Sequence, residues 1–169
     1  MEYWALSDEE LLAQCDWYAR RASGRGGQKR NKTSSAITLH HRPTGISAIA
    51  TESRLQGENR ALAMARLRLA LVLNIRRAVD PVTFEPPAEL REQTNRDGKL
   101  AVNPRNPRYL SILATVLDLL NFYRGRVSDA ADRLGISTTN LINLLHDDPK
   151  AWTAAQAMRK HYGMPPLKP

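Results

Sequence analysis

The chain has 169 residues, 42% hydrophobic and 25% charged, enough for one substantial core or two small ones. A formal net charge of +8 and a pI near 10.1 point to a polyanionic partner. The single cysteine, Cys15, excludes an internal disulfide framework and any zinc site built on two thiolates. No apolar run approaches the roughly 18 to 20 residues of a membrane span, and the acidic start resembles neither a signal nor a transit peptide, so a soluble cytoplasmic setting is expected.

The charge is concentrated. From Arg20 to Arg77 there are thirteen Lys or Arg against two acids, Glu52 and Glu58, and the remainder is slightly acidic. In chain order, Ser7-Asp8-Glu9-Glu10 ahead of Leu11 and Leu12 predicts a short capped helix with acids where the helix dipole favours them. Asp16 to Ala22 reads as extended and runs into Ser23 to Lys32, a stretch too rich in glycine and cations to be regular. Alternation over residues 36–41, a Pro43-Thr44-Gly45 turn and a second alternation from Ile46 to Thr51 describe a β-hairpin. Ser53 to Arg77 is an amphipathic helix, with Leu55, Leu62, Leu69 and Leu73 expected to pack on the sheet and Arg60, Arg66, Arg68, Arg76 and Arg77 standing largely off that stripe.

Prolines 81, 86, 87, 104 and 107, with mixed charge between them, mark 81–108 as a linker containing one helical turn near Ala88. Tyr109 to Tyr123 is apolar and helical. In Val127 to Leu145, Ala131, Gly135, Ile136, Leu141 and Leu144 hold the small, turn and core positions of a helix-turn-helix, with Trp152 as an expected buried anchor. The expected architecture is α+β: a sheet domain over 1–80, the linker, and a small helical domain over 109–169.

The loop Ser23-Gly24-Arg25-Gly26-Gly27-Gln28-Lys29-Arg30-Asn31-Lys32-Thr33 invites comparison with phosphate-binding loops. The comparison fails because Gln28 follows the glycines where a Walker loop has Lys, and a strand comes next in place of a helix. The loop instead resembles the signature of class I peptide chain release factors and the codon-independent ribosome-rescue hydrolases related to them. Four blocks carry the resemblance in order: Ser23 to Gln28; Asn31-Lys32 with Ser35-Ala36; His41 to Gly45; and Arg54, Gln56 and Asn59. Two departures are Arg30, where the family has an apolar residue, and Leu55, where it has Ser.

The resemblance implies hydrolysis of the ester between nascent peptide and P-site tRNA, with Gly26, Gly27 and Gln28 as the catalytic group. The residue chemistry is coherent with this. The loop holds no Asp, Glu, His or Cys to act as a general base, so catalysis must come from placement. Glycines at 26 and 27 allow backbone torsions that a Cβ forbids, which lets the main chain enter a narrow RNA cavity and aim the Gln28 N–H at developing charge. The neutral Gln28 amide can both donate and accept, so it can hold a water against the ester.

Arg25, Lys29, Arg30, Asn31 and Lys32 are expected to contact RNA, the cations following phosphates. Arg54, Gln56 and Asn59 either touch RNA or brace the loop. The implied partners are large-subunit ribosomal RNA and peptidyl-tRNA, with the chain a monomer, no membrane, no metal and no cofactor. His40 and His41 read as hairpin or turn residues, because no Asp, Glu or Cys lies at metal-ligand spacing.

The length leaves no room for a large codon-reading domain, and residues 150–169 do not form a strongly basic tail. The helix-turn-helix lacks Lys or Arg on its second helix, which disfavours sequence-specific DNA reading and favours docking on the ribosome or a protein. Two alternatives remain beside the hydrolase: a non-catalytic ribosome- or RNA-binding protein, and a DNA-binding regulator.

Overall fold

The computed structural model describes residues 2–20 and 35–168. Arg25, Gly26, Gly27, Gln28, Lys29, Arg30, Asn31 and Lys32 lie outside the described residues. The architecture is α+β, and the chain divides into two units, Met1–Leu71 and Val72–Pro169.

The first unit opens with a 3-10 turn at Tyr3–Ala5 and helix α1, Asp8–Ala13. The expected cap is a complete capping box: Ser7 Oγ accepts from Glu10 N–H at 3.2 Å, and Glu10 Oε2 accepts from Ser7 N–H at 2.9 Å. Three antiparallel strands follow in the order β1 (Cys15–Arg20), β2 (Ala36–His41) and β3 (Ser47–Ala50). The register pairs Cys15 with His41, Arg20 with Ala36, and Leu39 with both Trp17 and Ala48. Because side chains alternate between faces, Cys15, Ile37, Leu39, Ala48 and Ala50 share one face, and all are buried.

The β2–β3 turn explains the His41 to Gly45 block residue by residue. Gly45 sits at φ +70, a left-handed conformation a Cβ would strain. His41 is fully buried between the turn and the end of α1, with Nδ1 2.8 Å from Thr44 Oγ1 and Nε2 3.2 Å from Gln14 Oε1. Since Gln14 Oε1 can only accept, Nε2 donates to it and Nδ1 is left to accept the Thr44 hydroxyl. Tyr3 closes the site edge-on, its ring centroid 4.8 Å from that of His41. Arg42 fixes the same turn from outside, bonding Asp16 at 2.9 Å and the Ala13 carbonyl at 2.6 Å.

Helix α2 runs Gln56–Asn74, but its buried stripe is not the expected one. Leu55 and Leu62 are exposed, and Leu69 and Leu73 are only half-buried. Asn59, Ala63, Met64, Leu67 and Leu71 face inward instead. The sevenfold leucine spacing marked one side of the helix, whereas the core uses a fourfold row in which an alanine and an asparagine replace leucine. Four of the arginines expected outward are tied down: Arg66 bonds Glu52 and the Ile49 carbonyl, Arg68 bonds Asp8 at 2.7 Å and the Trp4 carbonyl at 2.6 Å, and Arg76 and Arg77 bond Asp118.

In the second unit, α4 (Tyr109–Phe122) is the centre, buried round its whole circumference from Ile112 to Leu120. Around it stand α3 (Ala88–Glu92), α5 (Val127–Leu134) and α7 (Pro149–His161), with α6 (Thr138–His146) packed on α5 and α7. Gly135 at φ +70 makes the expected turn between α5 and α6. Helix α7 was not anticipated; its signal was Asp148-Pro149, in which Asp148 caps the Lys150 and Ala151 amides and also accepts the Tyr109 hydroxyl at 3.1 Å. Trp152 is half-buried beside His146 and not the buried anchor expected; on this helix Ala151, Ala155 and Arg159 are buried.

Residues 81–108, expected to form a linker, pack within this unit. Leu90, Leu100 and Val102 are buried, and the Arg133 guanidinium bonds the Pro81 and Phe84 carbonyls at 2.9 and 2.6 Å. A narrow turn, closed by the Thr94–Leu100 bridge, is held on α6 by Asn140, whose amide bonds both the N–H and the carbonyl of Leu100 at 2.6 and 2.9 Å.

Asp118, 2% exposed on α4, accepts from the Arg77 amide at 3.0 Å and the Arg77 Nε at 2.6 Å, with Arg76 at 3.5 Å. Removing this carboxylate takes from both arginines the buried acceptor they share. Asp118→Ala should therefore lower unfolding free energy by about 3 kcal/mol in urea titration, while Asp129→Ala, at an exposed pair, should leave the urea midpoint essentially unchanged. A second expectation concerns acid. Burial lowers the His41 pKa below its ordinary 6.5, so the unfolded chain binds the proton more readily. That contribution is complete above the unfolded pKa and is lost as pH falls through it toward the folded value. The urea midpoint should drop as pH falls below the ordinary histidine value of 6.5, and His41→Gln should flatten the drop.

Candidate functional site

The residues that flank the 21–34 segment lie side by side in the sheet, Arg20 at the end of β1 being paired with Ala36 at the start of β2. Ser35, immediately before β2, is buried, and its carbonyl accepts from Asn59 Nδ2 at 2.6 Å. The same nitrogen donates to the Ser53 carbonyl at 2.8 Å, and Asn59 Oδ1 accepts from the Ser53 N–H at 2.9 Å. One carboxamide thus fastens the exit of the segment to the start of α2.

Asn59 is fully buried, and three of its four hydrogen-bonding positions are committed to the protein's own backbone. Of its two expected roles, these bonds are of the bracing kind. Arg54 and Gln56 differ from it. Both are exposed. They stand at the entry of α2, with Arg60 one turn on, its guanidinium 5.9 Å from the centre of the Trp17 ring.

Leu55 occupies the capping position of α2: its carbonyl receives the Asn59 N–H at 3.2 Å, yet it has no side-chain oxygen to return a bond. Ser53 compensates, its hydroxyl accepting from Leu55 N–H at 3.0 Å and donating to Glu58. Ser53 thus links the Leu55 amide to the Glu58 carboxylate at the head of α2. Two residues that sequence reasoning did not single out, Ser53 and Glu58, complete this junction; the sequence signal was the Ser53-to-Glu58 spacing across the helix start.

Asp8, Glu9, Leu12, Gly57, Arg60, Ala61 and Met64 line a shallow groove of about 270 Å³ between α1 and the first turns of α2. Among the described residues no cluster of three or more His, Cys, Asp or Glu is placed to hold a metal ion, and no helix is long and apolar enough to cross a membrane.

The RF-1 domain family model matches residues 11–100, which takes in the sheet, α2 and the turn held by Asn140. Relatives include peptide chain release factor 1 of Geobacter sulfurreducens, 32% identical over 148 residues, covering 88% of this chain and 36% of that one. The peptide chain release factor 1 of Acidiphilium cryptum is 37% identical over 109 residues, 64% of this chain and 26% of that one. That of Enterococcus faecalis is 34% identical over 140 residues, 83% of this chain and 33% of that one. The chain spans about a third of the length of these curated relatives. No solved structure matches it. With a family model covering more than half of its residues, this chain belongs to the RF-1 domain family.

Proposed function

We propose that the chain hydrolyses peptidyl-tRNA on the ribosome, releasing the nascent peptide, with Gly26, Gly27 and Gln28 as the catalytic group. The observation that carries this reading is the anchoring of the 21–34 segment, whose ends are held by the Arg20–Ala36 pairing and by Asn59 on Ser35. A loop whose chemistry rests on placement needs fixed ends, since misplacement by about 1 Å costs about a hundredfold in rate. Membership of the RF-1 domain family supports the same reading.

In this mechanism the glycines bring the main chain into the peptidyl-transferase cavity, and the Gln28 N–H meets the oxyanion that forms as water attacks the ester carbonyl. The Gln28 carboxamide excludes stray charge while orienting that water. Proton transfer falls to the tRNA ribose hydroxyl and ribosomal RNA, as the resemblance to release factors implies. Arg25, Lys29, Arg30, Asn31 and Lys32 follow phosphates, and Arg54 and Gln56 extend that contact along the start of α2.

The finer reading is rescue: release that does not depend on the codon in the decoding site, by a cytoplasmic monomer whose helical unit docks on the ribosome. A DNA-reading role for that unit gains no support from Asn140, whose amide is already paired with Leu100.

The test is release of labelled peptide from ribosomes carrying a stop codon, a sense codon or no codon in the decoding site. Comparable rates in all three support rescue; release confined to the stop codon supports termination. Gly27→Ala and Gln28→Ala should each slow release by at least about 100-fold with ribosome occupancy unchanged. Wild-type occupancy without release would leave the non-catalytic RNA-binding reading. Asn59→Ala should lower stability by about 2 kcal/mol and slow release at temperatures where the variant remains folded, whereas Leu62→Ala, at an exposed position of the same helix, should do neither.

A further inference from the structure

Two segments of the helical unit meet at one end of it, where α4 and α7 both stop. The Tyr162 hydroxyl donates to Asn121 Oδ1 at 2.8 Å, and a Cβ on Gly125 would come within 3.1 Å of Arg159 Cγ and 3.5 Å of Met164 Cγ, so the turn after α4 lies directly on the end of α7. Each segment carries an adjacent pair of rings there. Phe122 meets Tyr123 edge-on at 4.9 Å, and His161 meets Tyr162 edge-on at 4.9 Å. Phe122 is 38% exposed and His161 is also exposed, while the two tyrosines are half-buried. Both segments bring cations as well: Arg124 and Lys160 are exposed, and Arg159 is buried, bonding the Gly125 and Pro165 carbonyls.

We infer that this end of the helical unit binds unpaired RNA, Phe122 and His161 stacking on bases and Arg124 and Lys160 meeting phosphates. This rests on the ribosomal partner of the proposed function, and it names the surface through which the helical unit docks and the chemistry it docks on. Charge selects the partner class. Residues 121–128 and 156–166 contain four Lys or Arg and no Asp or Glu. Arg126 is paired with Asp129, whereas the partners of Arg159 are uncharged carbonyls. Discounting Arg126, three cations stand against about half a negative charge at each of the two helix ends, so the surface is positive. A second copy of the chain would present the same sign and be repelled. An anionic membrane matches the charge but not the rings: among the described residues of this unit Phe122 and Val82 are the exposed large hydrophobic ones, too little apolar area for insertion. Single-stranded RNA needs a π surface for its bases and a positive border for its backbone, and both are present here.

The test uses the full chain and a fluorescent single-stranded RNA of about 12 nucleotides, read by anisotropy across a salt series, with peptide release on ribosomes measured in parallel. Phe122→Ala should weaken binding about tenfold, and Phe122→Trp should restore it. Lys160→Gln, at an exposed site, should weaken binding and make the slope of log affinity against log salt shallower by about 0.7, with thermal unfolding unchanged. The inference is overturned if wild type does not bind, if either Phe122→Ala or Lys160→Gln binds as wild type does, or if Phe122→Trp is as weak as Phe122→Ala. Tighter binding of wild type to phosphatidylglycerol vesicles than to RNA would also overturn it, as would light scattering in which Phe122→Ala turns a dimer into a monomer. Absent wild-type release with ring-dependent RNA binding removes the hydrolase reading alone; normal wild-type release with ring-independent binding removes this inference alone.

Discussion

A buried carboxamide has four hydrogen-bonding positions, and each one left empty costs on the order of 1 to 3 kcal/mol, so Asn59 can sit in the core only where backbone partners are already arranged around it. Here Ser35 and Ser53 provide them, and they come from places that nothing else in the sequence brings together: the end of the glycine-rich segment and the residue ahead of α2. The constraint works in both directions. Asn59 fixes the two backbones, and their carbonyls and amide are what make a buried asparagine tolerable at the head of a helix. The burial of Ser35 and the fixed position of Ser53 ahead of α2 both belong to this junction.

The same device recurs in the helical unit. Asn140 holds Leu100 through both backbone groups, and Gln156 holds Leu167 in the same way, at 3.0 and 2.9 Å. Arg133 and Arg159 bond backbone carbonyls: Pro81 and Phe84 for the first, Gly125 and Pro165 for the second. Irregular segments offer few apolar side chains to bury, but their peptide groups still need partners. Long polar side chains rooted in helices supply those partners, which is how a proline-rich stretch becomes part of a packed unit.

This also decides what could be read in advance. The capping box, the hairpin with its glycine turn, α4 and the helix-turn-helix spacing are local patterns, and each was legible from residues within a few positions of one another. The buried stripe of α2 was not, because a leucine count overlooks Ala63 and Asn59, one small enough for close approach and the other buried for its hydrogen bonds. Packing of 81–108 was hidden for a related reason: Leu90, Leu100 and Val102 have no shared period, and the side chains that bond the segment's backbone, Arg133 at Phe84 and Asn140 at Leu100, lie some 40 to 50 residues from those partners. At the candidate site, Gly26, Gly27 and Gln28 were legible as a motif, while the bracing role of Asn59 required knowing what surrounded it.

A family signature therefore contains two kinds of residue that sequence alone presents as one. His41, Thr44, Gly45 and Asn59 belong to the same ordered blocks as the glycines and Gln28, yet each has an internal task here: a neutral imidazole joining a turn to a helix, a hydroxyl partnering it, a left-handed backbone, a buried clamp. Their spacing along the chain is set by the distance between elements that must meet. Where chemistry depends on the position of main-chain atoms, the residues that position the chain are under as strict a geometric demand as those that would touch the substrate, and a substitution at either kind would reduce the rate by different physics: loss of a contact in one case, loss of the frame that aims it in the other.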